Sequence, residues 1–585
     1  MIRLDRRFWL LLALLWAAAA FCYWWVARGE LSAFELPDPD DQLRLQQVRD
    51  LIAGQSWFDL TQYRINSPDG VAMHWSRIVD VPIAAVMLLA RPVVGAAAAE
   101  TAALVIVPLL TLAAAMAAAA LLTSRLDRRP IAIFATLALA PLTNGALAQM
   151  QVMRIDHHGW QIVLTLLAAA MMLDPRPRRS GAATGIACAL LLHISLEGLP
   201  MTAAIGAVLG LRWLVRPATE VQRFRWFASV LAGASLLGFV LLRPASAWAT
   251  ILCDVITPVH LAMLAAGAVG VLIATEFTTA RSMIWRAAAL AATGLVAAAL
   301  YPLIAPQCVT GAFSALDPIV RTFWYLRIEE GLPLSWSNPV VLVGMVAFPA
   351  IALAGAINAL RLAPADQRLD WISYLILLAV ATLLATQVAR TGGTATMLAL
   401  PGAVAAALAL ARLASRFRSP ILRVPAITLA MIAILPITPP LVTVLASRFI
   451  APSVRERKQT LCGTDANYRR LRALPPAILL ADLDISPGIL IATHHRMIAS
   501  GHHRNLQGIR DTLVTMMAPI ATARTVIARR HVDYVVLCTD LAETHAYRKQ
   551  APQGLAARLS RGEAIDWLQP VALPGARIKV WRVLR

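Results

Sequence analysis

The sequence has little charge for its length. Charged residues make up 15% of its 585 positions, whereas soluble domains carry about 25%. Hydrophobic residues reach 59%, and mean hydropathy is +0.65. This composition excludes disordered, coiled-coil, collagen-like and disulfide-knot architectures, and a water-soluble enzyme could not bury so much apolar surface. The chain is therefore predicted to cross a membrane many times.

The sequence also lacks the motifs of several soluble enzyme classes. It has no Walker glycine loop, no dinucleotide fingerprint, no Gly-x-Ser-x-Gly elbow and no Cys/His zinc spacing. A cytoplasmic nucleotide-sugar donor therefore has no visible site. The net charge of +20 comes mainly from short Arg clusters between apolar runs. That distribution is typical of orientation in a bilayer rather than of nucleic-acid binding.

Long apolar runs predict the membrane path. The first, Phe8–Val26, follows a basic N-terminus and is too long for a cleaved signal peptide, so it predicts an anchor with a cytoplasmic N-terminus. Basic clusters separate alternate runs, and placing them in the cytoplasm predicts about thirteen spans and an outer C-terminus. Pro82–Val94 then lies along the outer surface. The further runs begin near Ala98, Ile131, Gln161, Gly181, Met201, Trp226, Leu261, Ala287, Val340, Ile372, Thr396 and Pro425.

The predicted fold class is mostly α, with a polytopic membrane domain over residues 1–446 and a soluble α/β domain over residues 447–585. Residues 27–80 and 306–339 form two long outer loops. In the C-terminal segment, the short apolar runs Ala477–Leu480, Ile489–Ala492 and Val532–Cys538 alternate with helical stretches such as Ile509–Arg529. The predicted topology places both loops and the C-terminal segment on the outer side of the membrane.

Six cysteines are present. Cys22 and Cys188 fall inside predicted spans and are expected to be buried thiols. The other four fall in outer segments, where an oxidising space favours the disulfides Cys253–Cys308 and Cys462–Cys538.

An acidic cluster opens the first outer loop, in the sequence Pro37-Asp38-Pro39-Asp40-Asp41. Carboxylates this close repel one another unless a cation lies among them, and oxygen ligands suit Mg²⁺ or Mn²⁺. The alternative is an acidic turn that caps the following helix, Leu43–Ile52.

A second cluster, Asp156-His157-His158, lies at the outer end of the third span. It could bind a divalent ion, carry protons or simply be a solvated helix start. Glu329-Glu330 and Glu197, beside His193, are further candidates, although a surface helix also explains the Glu pair. Because the two acidic clusters lie on consecutive outer loops, topology brings both to one face.

Histidine and arginine concentrate in the predicted outer domain. His494 and His495 precede Arg496, and His502, His503 and Arg504 follow after a short gap. Charge-assisted hydrogen bonds from such side chains could hold a phosphate or diphosphate, whereas a solvated loop is the alternative.

These loops resemble those of the type C glycosyltransferases, which use polyprenyl-phosphate-linked sugars, and most closely the catalytic subunit of oligosaccharyltransferase. That family has Asp-x-Tyr-Tyr-His-x-Arg in its first outer loop, which Asp38 and Arg44 match, although its tyrosines and histidine are replaced. Its archaeal members carry an Asp-His-His-type motif, which Asp156-His157-His158 matches, and its loop Glu corresponds to Glu329 or Glu330. The family's Trp-Trp-Asp-Tyr-Gly sequon motif is absent, which favours an envelope lipid or polysaccharide over a protein acceptor.

The resemblance implies an inverting glycosyltransferase in a bacterial inner membrane, active at the periplasmic face. Asp38, Asp40, Asp156 and Glu330 are the expected catalytic residues, with a divalent metal (Mg²⁺ or Mn²⁺) on Asp38 or Asp40, Asp156 and His158. Arg44, His494, His495, His503 and Arg504 are expected to hold the donor phosphate. The main alternative is a lipid-linked-glycan flippase or transporter, and a signalling or scaffolding protein is a third. Transporters concentrate ionisable groups near the bilayer midplane, whereas these carboxylates lie in loops.

Overall fold

A computed structural model describes residues 6–311, 313, 316–334, 339–439, 441–442 and 462–585. The predicted domain boundary between residues 446 and 447 lies outside the described residues. Within the described ranges the chain is mainly helical, and its seven strands lie in two sheets.

The helices before residue 440 are α1 Arg6–Ala33, α2 Pro39–Ile52, α3 Arg77–Val94, α4 Ala96–Leu126, α5 Pro130–Leu139, α6 Asn144–Gln149, α7 His158–Met172, α8 Pro177–Ile194, α9 Leu199–Val215, α10 Pro217–Leu242, α11 Pro258–Thr278, α12 Met283–Ile304, α13 Pro318–Phe323, α14 Pro339–Leu362, α15 Arg368–Gln387, α16 Gly392–Leu398, α17 Leu400–Ala414 and α18 Pro420–Ala433. Those after residue 462 are α19 Asp465–Arg470, α20 Ser486–Ala492, α21 Leu506–Met517, α22 Ile520–Arg529, α23 Ala542–Gln550 and α24 Leu555–Arg561. Short 3₁₀ turns include Leu196–Gly198, Glu329–Gly331, Ala389–Thr391 and His503–Asn505.

Eight helices in the described ranges are long and apolar enough to cross a membrane, and a ninth span arises if Ala389–Leu398 and Leu400–Ala414, bent by 51°, count as one. Each apolar run predicted from the sequence falls on a helix. The total of thirteen spans is not confirmed, because several of those helices are too short or too polar to count. The shorter apolar helices are Pro130–Leu142, His158–Met172 and Pro420–Ala433.

Small residues allow the helices of the apolar region to approach closely. A Cβ added to Gly181 on α8 would collide with the carbonyl oxygen of Arg223 on α10, and one added to Gly355 on α14 would collide with that of Gly402 on α17. Close backbone approach of this kind is how helices associate in lipid, where the hydrophobic effect does not drive packing. It gives the apolar region a tightly packed interior against which the loops are held.

The C-terminal region contains a mixed five-stranded sheet in the order β4-β3-β5-β7-β6. Its central strand, β5, is parallel to β3 and antiparallel to β7. The predicted α/β character is present, but Ile489–Ala492 is the end of helix α20 rather than a strand, because Ser486 and Pro487 start a helix there. The strands are β3 Ile478–Leu480, β4 Arg496–Met497, β5 Tyr534–Leu537, β6 Leu568–Val571 and β7 Lys579–Val583.

The segment between α1 and α3 packs against this C-terminal region. It contains α2 and a small hairpin, β1 Thr61–Gln62 and β2 Val71–Ala72, whose turn includes Gly70 at a φ of +80°. The guanidinium of Arg64 donates to the carbonyl oxygens of Leu490, Thr493 and His495, at 2.7, 2.6 and 2.9 Å for Nη2. These bonds hold the start of the chain and its C-terminal region together.

Both predicted disulfides are present, Cys253–Cys308 and Cys462–Cys538. The first joins the segment after α10 to the turn after α12. The second lies within the C-terminal region. Cys188 is a buried thiol as expected, whereas Cys22 is an exposed one.

Candidate active site

The first acidic cluster begins helix α2. Asp38 is the N-cap, and its Oδ1 accepts from the backbone N–H of Asp40 at 2.9 Å, while Pro39 occupies the first helical turn. The capping interpretation of Asp38 therefore holds in the structure. Its Oδ2 lies 2.9 Å from Nη1 of Arg154, so the cation among these carboxylates is an arginine two residues before the second cluster.

Asp41 joins the two acidic loops. It is fully buried, and its Oδ1 accepts from the backbone N–H groups of Ile155 and Asp156 at 2.8 and 2.9 Å. Its Oδ2 lies 3.0 Å from Nη1 of Arg154. Residues more than a hundred positions apart thus meet in one place, as the predicted topology required.

Asp40 differs from its two acidic neighbours. Its carboxylate makes no hydrogen bond or ion pair with any residue in the part of the chain that the structure describes. Burial and the negative charges of Asp156, Asp38 and Glu330 raise the pKa of Asp40 well above its usual range. A carboxylate held near other carboxylates without a partner is suited to bind a cation or to accept a proton.

Asp156 is held by three cationic or imidazole groups. Its Oδ1 lies 2.6 Å from Nδ1 of His157 and 3.3 Å from Nη2 of Arg44. Together, His157, His158 and Arg44 hold the pKa of Asp156 well below its usual range, despite its burial. Asp156 is therefore an anion in the folded protein.

The other oxygen of Asp156 faces a lone pair. Nδ1 of His158 is 2.9 Å from Oε1 of Gln161 and must donate to it, which leaves Nε2 of a neutral His158 without a proton. That Nε2 lies 3.4 Å from Oδ2 of Asp156, which is buried and accepts no hydrogen bond. A positive charge between these two atoms, either a metal ion or the proton of a charged imidazole, would stabilise the contact. The donor set of Asp156, His157 and His158 therefore fits a divalent metal ion.

Arg44 positions Asp156 and is enclosed by protein side chains, so it is not exposed to a lipid-linked sugar. Its guanidinium is fully buried, and its Nη1 lies 2.9 Å from Asp80, which in turn pairs with Arg77 at 3.2 Å and accepts from Gln47 at 2.6 Å. Every one of these partners is buried. The phosphate-binding role predicted for Arg44 does not fit this geometry, because a ligand could reach the guanidinium only by displacing a carboxylate.

A cleft opens beside His158. It encloses about 510 Å³ of space, part of it open to solvent. Its lining includes the polar residues Arg390, Glu197 and Gln161 and the apolar residues Ile162, Leu191 and Leu384. Arg390 pairs with Glu197 and lies 3.7 Å from Oε1 of Glu330. The predicted Glu330 is thus close to the acidic clusters, whereas the side chain of Glu329 lies outside those described.

Sequence reasoning missed Arg390 because it is a lone arginine between apolar runs. Its signal was a cation at the end of a span that no basic cluster accompanies. In the structure it lies on the 3₁₀ turn Ala389–Thr391, at the break before α16, where the chain turns into the cleft.

The predicted phosphate-binding histidines separate into two groups. Nε2 of His494 lies 3.0 Å from the carbonyl oxygen of Leu474, and Nε2 of His495 lies 2.8 Å from that of Leu471. Both rings hydrogen-bond to neighbours within the C-terminal region, and this geometry does not favour their predicted role as phosphate ligands. His503 and Arg504 instead pair with Asp254, at 2.7 and 2.8 Å.

Comparisons with solved structures show that the chain shares the fold of an archaeal oligosaccharyltransferase, the kind of protein that the sequence resemblance indicated. The oligosaccharyltransferase AglB of Archaeoglobus fulgidus, solved with an inhibitory peptide and a dolichol-phosphate, matches with a TM-score of 0.70 at 14% identity, over 98% of this chain and 74% of that one. The same archaeal enzyme tethered to an acceptor peptide with an NVT sequon matches at 0.64, 14% identity and 100% and 75% coverage.

A further structure of that enzyme, in complex with Zn and sulfate, has a TM-score of 0.65 at 14% identity, over 97% of this chain and 73% of that one. The sequence matches no protein-family profile and no curated protein. At this identity the likeness establishes a shared fold, and the chemistry has to be argued from the residues of this chain.

Proposed function

We propose that the chain is a multi-pass glycosyltransferase that moves a sugar or glycan from a polyprenyl-phosphate or polyprenyl-diphosphate donor to an acceptor. The observation that carries the proposal is the meeting of Asp40, Asp156, His158 and Glu330 beside a cleft with both polar and apolar lining residues. A lipid-linked sugar has the same division, since its phosphate is anionic and its isoprenoid is apolar. The fold shared with an enzyme solved with dolichol-phosphate supports this reading.

The donor phosphate is proposed to bind beside Arg390 in the cleft. Arg390 is held strongly by Glu197 but lies 3.7 Å from Glu330, so it can exchange that weaker contact for a phosphate oxygen. The isoprenoid would then follow the apolar wall between the helices.

The metal is proposed to bind between Asp156 and His158, with Asp40 or Asp38 as a further ligand. Its identity as Mg²⁺ or Mn²⁺ is part of the proposal, and of the two Mn²⁺ accepts imidazole more readily. When bound, it supplies positive charge that stabilises the leaving phosphate. Asp38 would have to release Arg154 to join it, whereas Asp40 has no such partner to lose.

The remaining chemistry belongs to this chain's own carboxylates. The acceptor hydroxyl oxygen would bond to the anomeric carbon as the bond from that carbon to the phosphate oxygen breaks, and the hydroxyl proton would pass to Asp40. Asp40 takes this role where Asp38 is the further metal ligand, because the carboxylate of Asp40 has no hydrogen-bond or ion-pair partner among the described residues. Attack opposite the leaving phosphate gives inversion, and Arg390 stabilises the departing anion.

The cellular setting is also proposed. We infer a bacterial inner membrane with a cytoplasmic N-terminus, a membrane domain over residues 1–446 and a periplasmic domain over residues 447–585. Residues 27–80 and 306–339 would be the outer loops that bear the site. The absent sequon motif favours an envelope lipid or polysaccharide as the acceptor.

Radiolabelled polyprenyl-phosphate sugar, given to the purified protein in liposomes, tests the proposal. A transferase moves label from the lipid to an acceptor in the presence of Mn²⁺, and Asp156→Asn abolishes this while the protein remains folded. Asp50→Asn is a matched control, since Asp50 lies on α2 and its carboxylate accepts from Gln46 and Gln62 rather than from the acidic site. If label changes leaflet but stays on its lipid, the chain is a carrier and the proposal is wrong.

A further inference from the structure

A second group of imidazoles lies outside the acidic site. His74, His502 and His503 each offer a ring nitrogen, and these atoms lie within 4.8 Å of one another. His74 follows strand β2, whereas the other two precede and begin the turn His503–Asn505. The cluster therefore joins the first outer segment to the C-terminal region, and the proposed transfer reaction does not use it.

The three rings have the spacing of a metal site. Their centroids lie 5.1 Å apart for His74 and His502, 4.6 Å for His74 and His503, and 4.9 Å for His502 and His503. Imidazole nitrogen binds Zn²⁺ at about 2.0–2.1 Å, which puts each ring centroid about 3.2 Å from the ion and tetrahedral neighbours about 5.2 Å apart. The observed triangle is close to that size.

The surroundings supply the outer contacts of such a site. Nε2 of His503 lies 2.7 Å from Oδ2 of Asp254 and donates its proton to that carboxylate. In a neutral imidazole, Nδ1 then has a lone pair that can bind an ion. Arg504 fixes the same carboxylate through two bonds of 2.8 Å. A ligating histidine whose second nitrogen donates to a carboxylate is the usual arrangement around protein-bound zinc.

Of the remaining two rings, His502 has one nitrogen without a partner among the described residues. Nδ1 of His74 lies 2.9 Å from Nε2 of His502, and Nδ1 of His502 is buried without a hydrogen bond. A small cleft lies beside this cluster and is lined by His74 and Asp254.

We propose that His74, His502 and His503 bind a zinc-type divalent ion, with Asp254 orienting His503, and that this ion fastens the C-terminal region to the first outer segment. The site is separate from the Asp156 group in ligand chemistry, because three imidazoles select a borderline-soft ion whereas carboxylates favour Mg²⁺ or Mn²⁺. It is close to that group, since the rings of His74 and His157 are 6.4 Å apart. The ion is therefore placed to brace the loops around the transfer site.

Cobalt substitution in the full-length protein tests this proposal. After chelation in detergent and addition of Co²⁺, the wild type should show the intense visible bands of tetrahedral cobalt, and Zn²⁺ should displace them. His74→Gln and His502→Gln should each lose the bands, and Asp254→Asn should weaken Zn²⁺ binding about 10–100-fold. Asp156→Asn should keep them, as should His495→Gln, a matched control whose buried ring bonds a carbonyl oxygen.

A second measurement separates ligation from folding. Zn²⁺ should raise the thermal midpoint of the wild type and slow proteolysis between the two regions, and His74→Gln should lose both effects while it still elutes as a folded protein. The proposal is wrong if cobalt bands are absent from the wild type, persist in both histidine variants, or disappear in Asp156→Asn. None of these readouts requires glycosyl transfer, so this inference and the proposed function can fail separately.

Discussion

Neighbouring carboxylates on α2 are expected to respond oppositely to the same substitution. Asp40→Asn removes a carboxylate whose ionised form is disfavoured by burial and by Asp156, Asp38 and Glu330. Each unit by which the pKa is raised corresponds to about 1.4 kcal/mol against the charged form, so the neutral amide should leave stability unchanged or increase it. If Asp40 is the proton acceptor, transfer should fall at least about 100-fold.

Asp41→Asn should instead destabilise the protein. The amide oxygen can still accept from Ile155 and Asp156, but its NH₂ group would face Arg154 in place of a carboxylate oxygen. Loss of a buried hydrogen bond to a charged group costs about 1.5–3 kcal/mol. Thermal unfolding in detergent and initial transfer rates measure both effects. Unchanged transfer in Asp40→Asn would contradict the role of Asp40 as proton acceptor. A stability loss in Asp40→Asn as large as that in Asp41→Asn would contradict the difference between the two carboxylates.

Three further outcomes are expected. Arg390→Ala should raise the KM for the donor by at least about tenfold, and Arg390→Lys should recover part of the loss; an unaltered KM in both variants contradicts the phosphate role. Cys462→Ser should lower stability by about 4–5 kcal/mol, because the disulfide to Cys538 closes a separation of 76 residues, and a reductant should then have no further effect on that region. Burial raises the pKa of Asp482 to about 7, so the folded state binds its proton more tightly than the unfolded chain, and stability should fall as pH rises from about 4 to about 7. The free energy of unfolding, measured by denaturation at several pH values in that range, should depend less on pH in Asp482→Asn than in the wild type. An equal dependence on pH in both proteins would contradict the raised pKa of Asp482.

The sequence predicts the parts of the site that depend on topology. Acids placed on consecutive loops after spanning helices must reach one face, and the contact between Asp41 and the backbone of Asp156 is the result. The two disulfides follow from the same reasoning, since two cysteine pairs remain once the spans are assigned.

The pairing of side chains within the site could not be read from the sequence. Arg154 was one basic residue among many, and nothing local indicates that it lies between Asp38 and Asp41. Arg44 matched a family motif, yet Asp80 and Asp156 enclose it completely. His74 and His502 are separated by 428 positions, so only the packing of the C-terminal region on the first outer segment brings them together.

Helix α20 shows a different limit. Ile489–Ala492 is a short apolar run, and such a run is compatible with a buried strand or with the buried end of a helix. The preceding Ser486 and Pro487 are helix-start residues, and together with the contacts to α2 and α19 they decide in favour of the helix. Burial on all sides removes the periodicity that would have distinguished the two.

We propose that Asp156, His158 and a carboxylate of the first outer loop hold one metal ion against the donor phosphate. Pulsed EPR of Mn²⁺ added with a polyprenyl-phosphate sugar tests it directly, because the method detects nitrogen and phosphorus nuclei close to the ion. We expect a nitrogen coupling that His158→Ala removes and a phosphorus coupling that appears with the donor and disappears in Asp156→Asn. Mn²⁺ that shows only water couplings in the presence of donor, or a phosphorus coupling unchanged in Asp156→Asn, would contradict it.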